Sequence, residues 1–344
     1  MKRFWTSLAL VLSATLVVVS VASAHTPMQS GSNGTLAGAT VISDSRKSWA
    51  IYAELPHAGS AQYYRFDAAK GEQIPIALFA SPAEQSTGFV PSFAIMGPSV
   101  PDQGNVPSYI EAPPNARRML FEGAEAARGT YEPFSPSVFF SVATTDFEAP
   151  VDGTYYVSVF DDQRGGGYGI AIGKAERFTL YEWITTPLAF FRIYRWEGQS
   201  TVVVLLPSFL ALVVGVGLLI RRQRRGRVLD LPAWLGAIAG LLFVGSSMTV
   251  ATQMVFSLAR SGPDAGVIVT LVLMTLPLVV GVLTLRLVTG RSGRWTPRSR
   301  ALLAALGVVA AAVWAGWIVA PALAVVAAFV PSRSADAVAA KANA

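Results

Sequence analysis

The sequence predicts a two-part protein: an all-β antiparallel, jelly-roll-like sandwich followed by an all-α domain of four transmembrane helices. Three observations predict it. Short β-compatible runs separated by Gly, Pro and Asp turns fill residues 25–175. Four long uncharged apolar runs fill most of 201–330, and arginine is concentrated in alternate loops between them.

Residues 1–24 read as a secretory signal. Lys2 and Arg3 make a charged start, Leu8 to Val21 is an apolar run too short for a spanning helix, and Ala22-Ser23-Ala24 is a small-x-small processing site. The mature chain then begins at His25. The sequence contains no cysteine, which excludes disulfides, thiol catalysis, Cys-based zinc sites and a lipid-modified cysteine anchor. An exported domain without disulfides rests on its hydrophobic core, and residues 25–175 are enough for one.

Strands are expected at Trp49 to Leu55, Gln62 to Phe66, Ile74 to Ala80, Pro91 to Met96, Ser137 to Ala143, Thr154 to Phe160 and Tyr168 to Ile172. Pro98 to Pro136, rich in Pro, Gly and Glu, is expected as a long insertion with a short helix around Ala116 to Ala127. The run Tyr63-Tyr64-Arg65-Phe66-Asp67-Ala68-Ala69-Lys70-Gly71-Glu72-Gln73-Ile74 joins an aromatic strand to an apolar one through a Gly turn. Gly153-Thr154-Tyr155-Tyr156-Val157-Ser158-Val159 and Gly167-Tyr168-Gly169-Ile170-Ala171-Ile172 make a closing hairpin. These runs resemble the bacterial pre-peptidase C-terminal domain and the related GOLD-type sandwiches. The resemblance implies a binding or accessory module and no catalytic centre. Some members hold calcium through acidic pairs. Asp161 and Asp162 occupy a suitable turn, but the pairs are not clearly reproduced.

Residues 176–200 form an aromatic bridge. Trp183, Tyr194 and Trp196, among ten large apolar side chains interleaved with Glu and Arg, suit a membrane-interface segment divided by Pro187. The alternative is that these rings pack beneath the sandwich.

Spans are expected at 201–220, 231–256, 267–285 and 301–330, with kinks at Pro277 and Pro321. The first inter-span loop carries Arg221, Arg222, Arg224, Arg225 and Arg227. The third carries Arg291, Arg294, Arg298 and Arg300, whereas Ser257 to Gly266 has only Arg260 against Asp264. The positive-inside rule assigns the arginine loops to the cytoplasm, and the sandwich and the 331–344 tail to the extracytoplasmic side.

The net charge of +6 therefore misleads as a single number. Residues 25–200 hold 12 Lys/Arg against 18 Asp/Glu, and the basic excess lies in the loops. That excludes nucleic acid as a partner. The lipid bilayer is the expected one, with other envelope proteins beside it.

No span carries an interior Asp, Glu, Lys or His, the groups that proton-coupled carriers use. The second has Ser246, Ser247, Thr249, Thr252 and Gln253. Thr249, Gln253 and Phe256 are spaced for one helical face, suited to interhelical hydrogen bonding or to a polar conduit. G-x-S-x-G, H-E-x-x-H and P-loop motifs are absent. A free amino terminus at His25, with its imidazole, His57 and Met28, would suit copper. The expected function is a non-enzymatic multi-pass membrane protein whose sandwich serves binding, sensing or assembly. A copper-binding protein and a channel or transporter component are the alternatives.

Overall fold

The computed structural model describes residues 25–225, 229–290 and 295–332. The expected signal, Arg227, Arg291, Arg294 and residues 333–344 of the expected tail lie outside them.

Eleven strands form two sheets. The first has the order β1 (Thr26–Met28), β3 (Trp49–Leu55), β11 (Gly166–Ile172), β5 (Gln73–Ala80), β9 (Ser137–Glu148), β8 (Thr130–Glu132). The second is β2 (Thr40–Ile42), β4 (Ala61–Ala68), β10 (Gly153–Phe160), β6 (Ser92–Gly97), β7 (Arg117–Phe121). Period-two burial explains the pairing. Ile51, Leu78 and Ile170 of the first sheet meet Tyr64, Ile95 and Val157 of the second in one core. Tyr64 and Tyr168 join the sheets through a 2.6 Å hydroxyl contact, a polar bond inside that core.

The sheets are mixed, which corrects the purely antiparallel expectation. β1 runs parallel to β3 and β2 parallel to β4, each an edge strand of three residues. So short a run carries no alternation from which its direction can be read. The insertion after Pro98 holds β7 and β8 in place of the expected helix around Ala116 to Ala127.

Six helices follow: α1 (Leu180–Trp196), α2 (Thr201–Gln223), α3 (Leu231–Ser261), α4 (Val267–Thr289), α5 (Pro297–Ala312) and α6 (Val319–Phe329). Three of them, α2, α3 and α4, are long and apolar enough to cross a membrane. Glycines let them approach closely. A Cβ on Gly240 would lie 2.8 Å from Leu285, and one on Gly245 2.8 Å from the Ser208 backbone.

The fourth apolar run, expected as one span at 301–330, folds as two helices and not one. Trp314, Gly316 and Trp317 all take positive φ, at 55°, 67° and 61°. Two tryptophans in that region are uncommon and end the helix. The chain then doubles back: Arg300, near the start of α5, donates to the carbonyls of Ala328 and Val330 at 2.9 and 2.7 Å. Gly307 lies against Pro321 and Ala324 midway along this antiparallel hairpin. Pro321 falls in the first turn of α6, where its missing N–H is no loss, so it starts a helix instead of kinking one. Pro277 stays within a continuous α4. In the preceding turn the carbonyl of Met274 accepts from Ser247 of α3 at 2.7 Å.

The sandwich sits at one end of the helices. Tyr131 meets Thr270 at 2.6 Å, and Thr270 donates to the Pro133 carbonyl at 2.7 Å. Gln199 and Gln253 form a reciprocal amide pair at 2.6 and 2.9 Å. Arg221, Arg222, Arg224, Arg225 and Arg298 are exposed at the opposite end.

Candidate functional site: the groove at the sandwich–helix junction

The outer face of the first sheet turns toward the helices, and there a trough crosses it. Strand register lines up Pro27, Ala50, Ala171, Ala77 and Thr144 on five neighbouring strands. At about 4.8 Å per strand the last four of these, which line one groove, form a floor roughly 14 Å long, and Pro27 lines the adjoining cavity. One residue pair further along the strands, Tyr52, Gly169 and Phe79 build an aromatic wall. Gly169 is required here, because a Cβ would come within 2.0 Å of the Phe79 ring. On the other side lie Ser48, Gly173, Pro75 and Asp146.

The resulting groove has a volume of about 620 Å³, within the range of ligand-binding clefts. His25, Glu132, Phe139, Thr145 and Lys174 complete its lining. A narrower cavity of about 30 Å³ shares His25, Ala50, Tyr52 and Glu132 with it and reaches α1 and Trp314. A third, about 60 Å³, continues past Phe134, Phe190 and Trp314 to Thr249 and Pro277. The two inner cavities have room for a water or two.

Two carboxylates at this junction are perturbed. Burial pushes Glu132 up to about 7, opposed by the Phe134 N–H, with the Glu176 charge adding to the rise. Burial also raises Glu197 to about 7, against hydrogen bonds from the Val138 N–H at 2.6 Å and the Gln199 amide at 3.0 Å. His25 is partly exposed, but its ring packs into the groove mouth and touches the Ser48 hydroxyl at 2.5 Å. Desolvation of that ring lowers its pKa, with Glu176 pulling the other way.

The three residues considered for copper do not come together. His25 lies beside Ser48, before the start of β3, and His57 follows its far end, so the seven residues of β3 separate them by roughly 23 Å. Met28 packs against the sandwich core, on the sheet face opposite His25. Among the described residues no group of three His, Cys, Asp or Glu could hold a metal ion.

Part of the aromatic bridge packs beneath the sandwich, and part of it is exposed. Trp196 packs under the sandwich, edge-on to Tyr52 at 5.1 Å and to Phe79 at 5.9 Å, and donates to the Tyr168 carbonyl at 3.1 Å. Tyr194 is buried. Trp183 lies 4.4 Å from Trp314 at the hairpin tip. The opposite side of α1 exposes Leu180, Tyr181, Ile184 and Leu188, an apolar stripe with no protein against it.

Pro187 has a specific consequence. It lacks the N–H that would bond the carbonyl of Trp183, four residues earlier, and the Trp314 indole supplies the donor instead, at 2.9 Å. In α3, Thr249 and Gln253 are buried and bonded to Ser208 and Gln199, whereas Phe256 is 40 % exposed. The continuous helix keeps the three on one face, where Thr249 and Gln253 serve as contacts to Ser208 of α2 and to Gln199 before it, while Phe256 is partly exposed.

No protein-family model and no curated protein sequence matches the chain. Sequence reasoning missed Glu132, Glu197, the alanine floor and Trp314. The floor residues are single small side chains on separate strands, so only strand register reveals them.

Proposed function

We propose that this is a membrane protein that presents a rigidly mounted extracytoplasmic sandwich and binds a ligand in the groove at its junction with the helices. The groove carries this reading: a cleft of about 620 Å³, walled by aromatic rings, with titratable groups converging on it. The resemblance of the hairpins to bacterial sandwich modules supports a binding role, and the lack of catalytic motifs agrees with it.

In this reading α2, α3 and α4 cross the bilayer, and α5 and α6 form a re-entrant hairpin that returns to the side it entered. The arginines at the ends of α2 and α4 and the start of α5 face the cytoplasm. α1 lies in the interface with its bare apolar stripe toward lipid. Irregular backbone at membrane depth is tolerated only inside protein, and Ala315 at the hairpin tip is fully buried. The buried contacts of Thr270, Gln199 and Glu197 tie the sandwich down, so it moves with the helices.

Because the chain has no cysteine, single-cysteine variants report sidedness cleanly. A membrane-impermeant maleimide applied to intact cells labels Lys70→Cys on the sandwich and spares Arg222→Cys until the membrane is opened. The reverse pattern overturns the assignment.

A further inference from the structure

We propose that the groove holds one phospholipid with an ammonium-bearing headgroup, one of its two acyl chains along the alanine floor. This rests on the sandwich lying outside the membrane, as argued above. The floor of the groove runs across four neighbouring strands with one small side chain from each, Ala50, Ala171, Ala77 and Thr144, a form that suits an extended flexible chain. It lies on the sheet face turned toward the helices and shares His25 and Glu132 with the cavity lined by Thr186, Phe190 and Ile193 of α1. The other side of α1 is the bare apolar stripe, so the groove adjoins the bilayer surface.

Charge decides which lipid. Glu132, partly ionised at neutral pH, and Asp146 supply carboxyl groups to the lining, Lys174 supplies an ammonium, and His25, its pKa lowered by burial, supplies a neutral imidazole N–H. Among the described residues none of the four forms an ion pair. A headgroup with both a phosphate and an ammonium meets both sets: the ammonium opposite Glu132, the phosphate opposite Lys174 and His25. A quaternary ammonium has no N–H to donate to Glu132, so a primary ammonium is preferred. The chain contributes little to the choice, because moving it from bilayer to trough exchanges one apolar environment for another. Headgroup selectivity is therefore the diagnostic.

The full chain is placed in nanodiscs of equal phosphatidylethanolamine and phosphatidylcholine, and lipids retained after release are counted by native mass spectrometry. One phosphatidylethanolamine per chain is expected, favoured about tenfold. Glu132→Gln is expected to abolish that preference. Ala171→Leu, which fills the floor, and the exposed Lys174→Ala are each expected to reduce retention. Equal retention of the two lipids, an unchanged preference in Glu132→Gln, or full retention in both Ala171→Leu and Lys174→Ala overturns the proposal. If Lys70→Cys is labelled from outside but no lipid is retained, this inference falls alone. If Lys70→Cys is protected, the reading beneath it falls first.

Discussion

Replacing Trp314 by Phe removes one N–H and keeps an aromatic ring at the hairpin tip. The structure sets the magnitude. The indole donates at 2.9 Å to the Trp183 carbonyl, which Pro187 has deprived of its helical partner. Leaving a buried acceptor unpaired costs about 1–3 kcal/mol. The smaller ring gives up packing against Trp183 and Phe190 worth about 1 kcal/mol more. A combined loss of roughly 2–4 kcal/mol lowers the thermal midpoint by about 4–16 °C for a unit the size of the helical domain. Scanning fluorimetry of the purified chain in detergent reads it. The discriminating variant is Pro187→Ala, which restores an N–H for the Trp183 carbonyl. In a double-mutant cycle Pro187→Ala should recover about 1–2 kcal/mol more in the Trp314→Phe background than in the wild type. An additive cycle refutes the reasoning, as does a Trp314→Phe midpoint equal to that of the wild type.

Three further outcomes follow from the junction. Glu197 titrates near 7 in the fold against an ordinary 4.5, so the folded chain holds the extra proton between these values. Stability should therefore fall as pH rises from about 4.5 to about 7 and level off above, by about 3 kcal/mol for this group; Glu132, raised to about 7 in the same way, adds a similar fall, so Glu197→Gln should remove about half of the slope in pH-dependent unfolding. Gln253→Leu strands the Gln199 amide and should destabilise by about 1–3 kcal/mol, with the Gln199→Leu, Gln253→Leu pair recovering much of it in the same melts. Gly169→Ala forces a methyl into the Phe79 ring and should lower stability by about 1–3 kcal/mol, measured by chemical denaturation.

Much of the sandwich was legible because its strands alternate. In Gln62 to Phe66 and Thr154 to Phe160, Tyr64, Phe66, Tyr155, Val157 and Val159 alternate into the core between the sheets, whereas Tyr63 and Phe160 on the other face are buried beneath Ile110 of the insertion. The edge strands Thr26–Met28 and Thr40–Ile42 were not, since their parallel pairing depends on where the preceding chain enters. Uniform hydropathy likewise concealed the break in the fourth apolar run. Ala312 to Val319 is apolar throughout, and the turn is marked only by Gly316 between two tryptophans. The candidate site was least legible of all. Glu132 lies in a three-residue strand within an expected loop, and its position under Tyr52 is a tertiary fact. His25 was legible as a chemical group, though its neighbours were not the ones expected.

The most direct test is the side on which the chain emerges after the hairpin. With Val330 held by Arg300 at the arginine-bearing end, a cysteine at Ser332 should resist an impermeant maleimide in intact cells, as Arg222→Cys does, while Lys70→Cys reacts. Labelling of Ser332→Cys alongside Lys70→Cys would mean that the fourth apolar run crosses after all, contradicting three crossings and a returning hairpin.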